Sequence, residues 1–196
     1  MTRSRTILFA AIVAILALAA GIALRLVLED RASPVVATEL GAPFELIDQD
    51  GAPITEAAFT GRPSLLFFGF THCPEVCPTT VYEMETWLDD LGAAPEDVGA
   101  YFVTVDPERD TVEYLRNYLA PQSDRITGIT GEPEAVWDMA RSWRVYWQKR
   151  PLGDGDYTLD HFASVFVLDA AGRVANLISY GEDPDSAKAK IASVLQ

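Results

Sequence analysis

The chain has 196 residues, which allows one membrane or targeting segment followed by a single domain of roughly 155 residues. Its formal net charge of -14 argues against nucleic-acid binding, because a phosphate-binding surface needs clustered Lys and Arg. Two cysteines are too few for a disulfide-stapled scaffold, and a single C-x-x-x-C pair lacks the four ligands of a structural zinc site.

The first predicted element is a transmembrane helix. Residues 7–24 are uncharged and apolar, and the run extends to residue 28 if Arg25 snorkels, a length that just spans a bilayer core. Arginines precede the run and two acids follow it, so the positive-inside rule places the N-terminus in the cytoplasm. We therefore predict a single-pass protein of the inner (cytoplasmic) membrane. Its parts are a membrane anchor over 1–28, a tether over 29–43 and a periplasmic domain over 44–196.

The alternative for the N-terminus is a cleaved signal peptide, with Ala17-Leu18-Ala19 as its processing site. That site lies inside the apolar run, whereas cleavage usually follows such a run, so the anchor is favoured. Both interpretations export the domain into an oxidising compartment.

The domain is predicted to begin with a hairpin and a buried strand. Residues 44–47 alternate between apolar and polar side chains and lead to Asp50-Gly51, which is typical of a hairpin turn. Thr55 is placed to cap a short helix that ends near residue 59. Residues 64–70 are continuously apolar, as in a strand buried on both faces. Pro78 predicts the start of a helix that runs to about residue 91.

Strands and helices alternate through the rest of the chain. The predicted strands are 99–105, 126–129, 144–148, 162–168 and 174–180. The predicted helices are 111–119, with Asp110 or Thr111 as its cap, 132–143 and 184–195. Between residues 149 and 160, glycines and aspartates predict a mobile loop. This order describes an α/β domain of thioredoxin-like type, with a central sheet flanked by helices and extra N-terminal strands.

The two cysteines lie where this fold places chemistry. Cys73 and Cys77 follow the first central strand and lead into a helix, and open α/β sheets bind ligands at the C-terminal ends of strands. Side chains four residues apart share one helix face, so both sulfurs can reach one ion or join in a disulfide. Two thiolates with an imidazole suit a soft, redox-active ion such as Cu(I). His72, adjacent to Cys73, is expected to point away from this site.

His161 is the expected third ligand. It lies just before the predicted strand 162–168, whose start faces the cysteine loop in a thioredoxin-like sheet. A thioredoxin carries a proline at that point, whereas this chain carries Asp160-His161. Asp160 is expected to orient the imidazole, as carboxylates beside metal-bound histidines do. The plainer interpretation is a histidine packed at a loop end.

Three motifs together resemble the Sco/SenC family. Residues 68–80 run F-G-F-T-H-C-P-E-V-C-P-T-T, residues 105–111 run V-D-P-E-R-D-T, and Tyr157 precedes Asp160-His161 by a short gap. The resemblance covers residues 44–196 and includes the predicted anchor. For Asp106 and its neighbours in the second motif, the residues themselves favour a loop and a helix cap.

The resemblance implies a thioredoxin-fold, copper-binding protein that assists cytochrome c oxidase assembly. Carried over by motif, Cys73, Cys77 and His161 are the implied ligands of a copper ion. The implied partner is subunit II of the oxidase or another copper chaperone. Phe162 departs from the family pattern, in which a small residue such as serine is commoner, and its ring is expected to alter access to the site.

Three functions remain open from the sequence. A copper chaperone needs Cys73, Cys77 and His161, whereas a thiol–disulfide oxidoreductase that reduces the oxidase copper site without delivering metal needs only the cysteines. A redox or copper sensor is expected to carry an output module and ranks last. The C-x-x-x-C spacing favours chelation, because thioredoxin-type catalysis uses C-x-x-C. We expect a metallochaperone rather than an enzyme, with thiol–disulfide exchange as the alternative activity.

Overall fold

The computed structural model describes residues 40–153 and 155–195. Its strands are β1 Glu45–Asp48, β2 Pro53–Thr55, β3 Ser64–Gly69, β4 Gly99–Thr104, β5 Ile126–Thr130, β6 Trp147–Gly153, β7 Asp156–His161, β8 Ser164–Leu168 and β9 Val174–Ser179. Its α-helices are α1 Val76–Asp90, α2 Val112–Leu119, α3 Pro133–Ser142 and α4 Pro184–Ala192, and a 3₁₀ helix covers Glu56–Phe59.

The predicted anchor over 1–28 lies outside the described residues, as does the tether as far as residue 39. Within the part of the chain that is described, no helix has the length and apolar character to cross a membrane. Gly41 donates a backbone hydrogen bond to the carbonyl of Ser142 at 3.1 Å, so contacts with the domain begin before residue 44.

Seven strands form one twisted sheet in the order β2-β1-β5-β4-β3-β8-β9. Strand β4 pairs in parallel with both β3 and β5, whereas β8 runs antiparallel to β3. The N-terminal hairpin of β1 and β2 extends the sheet through an antiparallel pairing of β1 with β5. This arrangement confirms the predicted α/β fold with a central sheet, flanking helices and added N-terminal strands.

The apolar runs form the centre of the sheet, as predicted. Every residue of β3 and β4 is buried, because these neighbouring strands have helices or further chain on both faces. Phe67 of β3 and Phe102 of β4 pack edge to face, with ring centroids 5.8 Å apart. The C-terminal ends of both strands point to the segment that carries the cysteines, so a rigid core positions the site.

Helix α1 begins two residues earlier than predicted. Pro78 is its third residue rather than its first, and the first helical hydrogen bond runs from the Thr79 amide to the Glu75 carbonyl at 3.1 Å. The first four amides of a helix have no partner within it, so a proline fits anywhere in the first turn. The shift places Cys77 inside the helix.

The predicted mobile loop over 149–160 was wrong, and the strand predicted over 144–148 is shifted to Trp147–Gly153, so that only Trp147 and Gln148 belong to both. Strands β6 and β7 pair antiparallel from Trp147 opposite His161 to Gly153 opposite Asp156, forming a separate two-stranded sheet. Nearly every residue of β6 is exposed, so the sequence carries no alternation of apolar and polar side chains that would indicate a strand. The glycines form the turn of this hairpin.

Candidate metal centre

The cysteine loop, residues 70–75, connects the end of β3 to the start of α1. The Cys77 amide, which belongs to the first turn of α1, donates to the Cys73 sulfur at 3.4 Å. Gly69 makes room for the second sulfur, because a Cβ at that position would lie 3.0 Å from the Sγ atom of Cys77. The two sulfurs therefore share one pocket at the end of the central sheet.

His161 completes the group from the far end of the β6–β7 hairpin. Its Nε2 atom lies 3.5 Å from the Sγ atom of Cys77, and its Nδ1 atom lies 2.9 Å from the Phe162 carbonyl oxygen. A proton on Nδ1 satisfies that carbonyl and leaves the Nε2 lone pair directed at the sulfurs. The ring stands edge to face with Phe70, at a centroid distance of 5.6 Å, which fixes its plane.

The two thiols are electrostatically unlike. Hydrogen bonding from the Cys77 side chain lowers the pKa of Cys73 from 9.0 to about 4, opposed by burial. Burial raises the pKa of Cys77 well above 9.0, and the neighbouring Cys73 sulfur raises it further. At neutral pH Cys73 is thus the thiolate and Cys77 the thiol. Metal binding by this pair releases a proton chiefly from Cys77.

The ligand atoms of Cys73, Cys77 and His161 all lie within 4.8 Å of one another. Cys73 is 9% exposed, Cys77 is fully buried and His161 is half-buried, so the group opens to solvent at its Cys73 and His161 sides. Two sulfurs and one imidazole nitrogen with an apolar wall fit a soft ion such as Cu(I), and offer no oxygen ligand to Mg²⁺ or Ca²⁺. The structure therefore brings the three sequence-predicted residues together.

A second group of possible ligands consists of His72, Asp106 and Asp110. The Asp110 carboxylate already accepts from the Thr71 amide and from the hydroxyl groups of Thr71 and Thr104, at 2.6–3.0 Å. Because its oxygens are occupied by protein donors, this group is a structural hydrogen-bond network. Burial also raises the pKa of Asp110, which disfavours the charged form that a metal needs.

His72 points away from the sulfurs, as predicted. Its ring stacks on Tyr114 with centroids 4.9 Å apart, and its Nδ1 atom lies 3.0 Å from the Thr71 hydroxyl. The ring of Phe162 packs against Phe166 at a centroid distance of 5.5 Å. The effect of the Phe162 ring on access to the site stays a prediction.

The role predicted for Asp160 was wrong. Its carboxylate is exposed and pairs with Arg150 at 2.6 Å, and the Phe162 carbonyl takes the Nδ1 position of His161 instead. Side chains alternate along a strand, so the neighbours Asp160 and His161 project from opposite faces of β7. Tyr157 and the buried Leu159 lie on the same face of β7 as His161, and this face points towards the domain.

The sequence did not reveal that Asp106 and Asp110 are both buried. Asp106 is 1% exposed and Asp110 is 0% exposed, although Thr111 does cap α2 as predicted by accepting from the Tyr114 amide. Carboxylates are rarely buried unless they are paired or hydrogen-bonded. Acids soon after a continuous apolar strand were the sequence signal, but two of their partners, Tyr157 and Thr71, come from distant segments.

Together, the sheet and this group of side chains define a thioredoxin-like protein with a Cys₂His group that could hold a metal ion at the C-terminal end of the first central strand. A sequence profile of the SCO1/SenC family matches residues 33–196. The chain belongs to the SCO1/SenC family, which confirms the resemblance seen in its three motifs.

Individual relatives agree with this assignment. The chain is 36% identical over 148 residues to the mitochondrial SCO1 homolog 1 of Arabidopsis thaliana, covering 75% of this chain and 44% of that protein. It therefore spans less than half the length of that relative. The structure of ScoI from Bradyrhizobium japonicum with copper bound is 39% identical, with a TM-score of 0.73 over 79% of this chain and 99% of that chain.

A third relative is described in terms of redox chemistry. BsSco, a member of the Sco family of cytochrome c oxidase assembly proteins with an identified disulfide switch, is 26% identical to this chain. Its TM-score is 0.64, over 80% of this chain and 94% of that chain.

Proposed function

We propose that this protein is a copper chaperone that holds copper through Cys73, Cys77 and His161 and assists metallation of the copper centre of cytochrome c oxidase. The observation that carries the proposal is the convergence of two sulfurs and one imidazole nitrogen within 4.8 Å at the end of the central sheet. The copper-bound structure of a 39% identical Sco protein supports it.

The chemistry of the three side chains suits a metal ion that the protein must bind and later transfer. Sulfur and imidazole ligands favour Cu(I) over the harder ions, and the buried Cys77 side of the site keeps water away from them. Cys73 is the more accessible of the two sulfurs, so it is the sulfur that an incoming acceptor thiol meets first. Metal transfer through shared sulfur ligands therefore begins at Cys73.

The acceptor is proposed to be subunit II of the oxidase, or another copper chaperone, which fits the description of BsSco as a cytochrome c oxidase assembly protein. We place the domain, residues 44–196, on the periplasmic side of the inner membrane. The apolar run over 7–28 is its proposed single-pass anchor, joined by the tether over 29–43.

A thiol–disulfide oxidoreductase is the second candidate, and the unlike thiols favour it. The thiolate of Cys73 attacks a target disulfide and releases one target thiolate, and Cys77 then displaces the second as the Cys73–Cys77 disulfide forms. The protein loses two electrons and the target gains them. This reaction does not need His161, which the structure places against Cys77, so the chaperone role explains more of the site.

A transfer experiment separates the two functions. The reduced chain, loaded with one equivalent of Cu(I), is mixed with the copper-free, reduced soluble domain of oxidase subunit II, and copper in each is measured after separation. Unbound Cu(I) is removed before mixing. We expect the unmodified protein to deliver its copper to the subunit II domain, whereas His161→Ala retains too little copper after this step to deliver it. Absence of transfer, together with equal reduction of an oxidised subunit II domain by both forms, would replace the chaperone by the oxidoreductase.

A further inference from the structure

The loop between β4 and α2, residues 105–111, lies between the two halves of the site and contacts both. On the cysteine side, Asp110 accepts from the backbone amide of Thr71 at 3.0 Å and from its hydroxyl at 2.6 Å. Thr71 is two residues before Cys73. Asp110 therefore ties the cysteine loop to the end of β4, and the sulfurs rest on a fixed segment.

On the histidine side, the same loop holds the β6–β7 hairpin. The Tyr157 hydroxyl donates to Asp106 at 2.7 Å, and Arg109 donates to the Tyr157 carbonyl at 2.9 Å. Arg109 also pairs with Asp106 at 2.5 Å, and its guanidinium lies 3.7 Å from the centroid of the Tyr157 ring. We name Asp106, Arg109 and Tyr157 the hairpin clamp.

The hairpin is fixed to the domain by side-chain contacts alone: beside the clamp, Trp147 packs against the core, and Lys149 and Asp156 pair with Glu108 and Arg109 of the same loop. Strands β6 and β7 hydrogen-bond to each other and not to the seven-stranded sheet, and most of their residues are exposed. Isolated two-stranded hairpins are marginally stable in water. Side chains on the domain-facing side of β7 therefore locate it: Tyr157, the buried Leu159 and His161 itself.

The buried Asp106 carboxylate needs both of its partners in the clamp. Asp106 is 1% exposed, so its charge is tolerated only because Arg109 and Tyr157 both satisfy it. Tyr157 and His161 are four residues apart on one face of β7. The position of Tyr157 therefore fixes the position of His161 relative to the central sheet. A shift of the hairpin by 1–2 Å would break the contact between Nε2 and the Cys77 sulfur, which lie 3.5 Å apart.

We propose that the hairpin clamp positions His161 against Cys77 before copper arrives. The inference rests on the proposed copper-binding function and assigns positioning residues to it. A preorganised third ligand raises affinity because the competent arrangement is already populated in the free protein. The second motif thereby gains a role beyond the loop and helix cap that its residues indicated.

The test removes one hydroxyl group from the clamp. In Tyr157→Phe the hairpin keeps its ring and its backbone but loses the hydrogen bond to Asp106. We expect Cu(I) affinity, measured by competition with a chelator, to fall about tenfold, the lower end of the effect of losing a residue that supports a metal ligand. Tyr146→Phe is the matched control, because that exposed hydroxyl bonds only to Gln148 at 2.5 Å among the described residues.

A double-mutant comparison shows whether the clamp acts through His161. In a His161→Ala background, Tyr157→Phe is expected to change Cu(I) affinity less than about twofold, since no imidazole is left to position. X-ray absorption of the copper-loaded Tyr157→Phe protein should show a reduced nitrogen contribution at unchanged sulfur. General loss of structure would instead weaken copper binding equally in both backgrounds.

The outcomes separate this inference from the function on which it rests. If His161→Ala weakens copper binding but Tyr157→Phe matches Tyr146→Phe, the clamp is only structural and the inference is wrong. If His161→Ala itself leaves the affinity unchanged, the three-ligand site fails and the inference fails with it. An equal effect of Tyr157→Phe with and without His161 also overturns positioning.

Discussion

His161→Ala is expected to weaken Cu(I) binding about 100-fold or more while leaving the Cys73–Cys77 disulfide able to form. Removal of the imidazole leaves two sulfurs and an apolar gap. The Cys73 sulfur still accepts from the Cys77 amide, so the cysteine pair keeps its geometry. Affinity is measured by competition with a Cu(I) chelator under reducing conditions. Disulfide formation is followed by the loss of free thiols in air.

His72→Ala is the matched control for this substitution. It removes a histidine beside Cys73 whose ring stacks on Tyr114, away from the sulfurs. We expect its Cu(I) affinity to stay within about threefold of the unmodified protein, since no ligand is lost. A larger loss in His72→Ala than in His161→Ala would mean that the wrong histidine has been assigned to the site.

Asp110→Ala is expected to lower the free energy of unfolding by about 3 kcal/mol. The substitution leaves the buried Thr71 amide and the Thr71 and Thr104 hydroxyls without their acceptor, and opens a small cavity between the cysteine loop and β4. Urea denaturation of the copper-free, reduced protein provides the measurement. Asp110→Asn, which retains one acceptor oxygen and the side-chain volume, should lose only about 1 kcal/mol.

Asp50→Ala provides the surface comparison, because Asp50 is an exposed acid that pairs with Arg116 at 3.2 Å. Exposed ion pairs contribute little to stability, so this change should stay within about 0.5 kcal/mol. If Asp110→Ala were no more destabilising than Asp50→Ala, the network that ties the cysteine loop to β4 would contribute nothing measurable to the free energy of unfolding.

The centre of the fold could be predicted because its strands carry their own pattern. Residues of β3 and β4 are buried on both faces, and a continuous apolar run is the direct consequence. The caps at Thr55 and Thr111 were equally local, because each contacts an amide only two or three residues away.

The β6–β7 hairpin could not be predicted in the same way. Strand β6 is exposed and has no apolar face to generate a period of two, and the alternation of Tyr157, Leu159 and His161 in β7 is short. The glycines and aspartates of the hairpin occur equally in turns and in loops. The wrong role predicted for Asp160 followed from missing strand β7. Once residues 156–161 are a strand, alternation turns Asp160 towards solvent and His161 towards the cysteines.

The three proposed ligands could be singled out from the sequence, whereas the residues that support them could not. Cys73, Cys77 and His161 are rare, chemically distinctive residues in a short motif and a matching position of the fold. Asp106 and Asp110 are common residue types, and their partners Tyr157 and Thr71 lie 51 and 39 positions away in the chain. Such contacts are set by the tertiary structure and leave no local periodicity.

The most direct test of the three-ligand site is X-ray absorption spectroscopy of the full, reduced chain loaded with one equivalent of Cu(I). We predict two sulfur ligands from Cys73 and Cys77 and one nitrogen ligand from His161, with the nitrogen contribution absent in His161→Ala. A spectrum with two sulfurs alone, or one that His161→Ala leaves unchanged, would contradict the account.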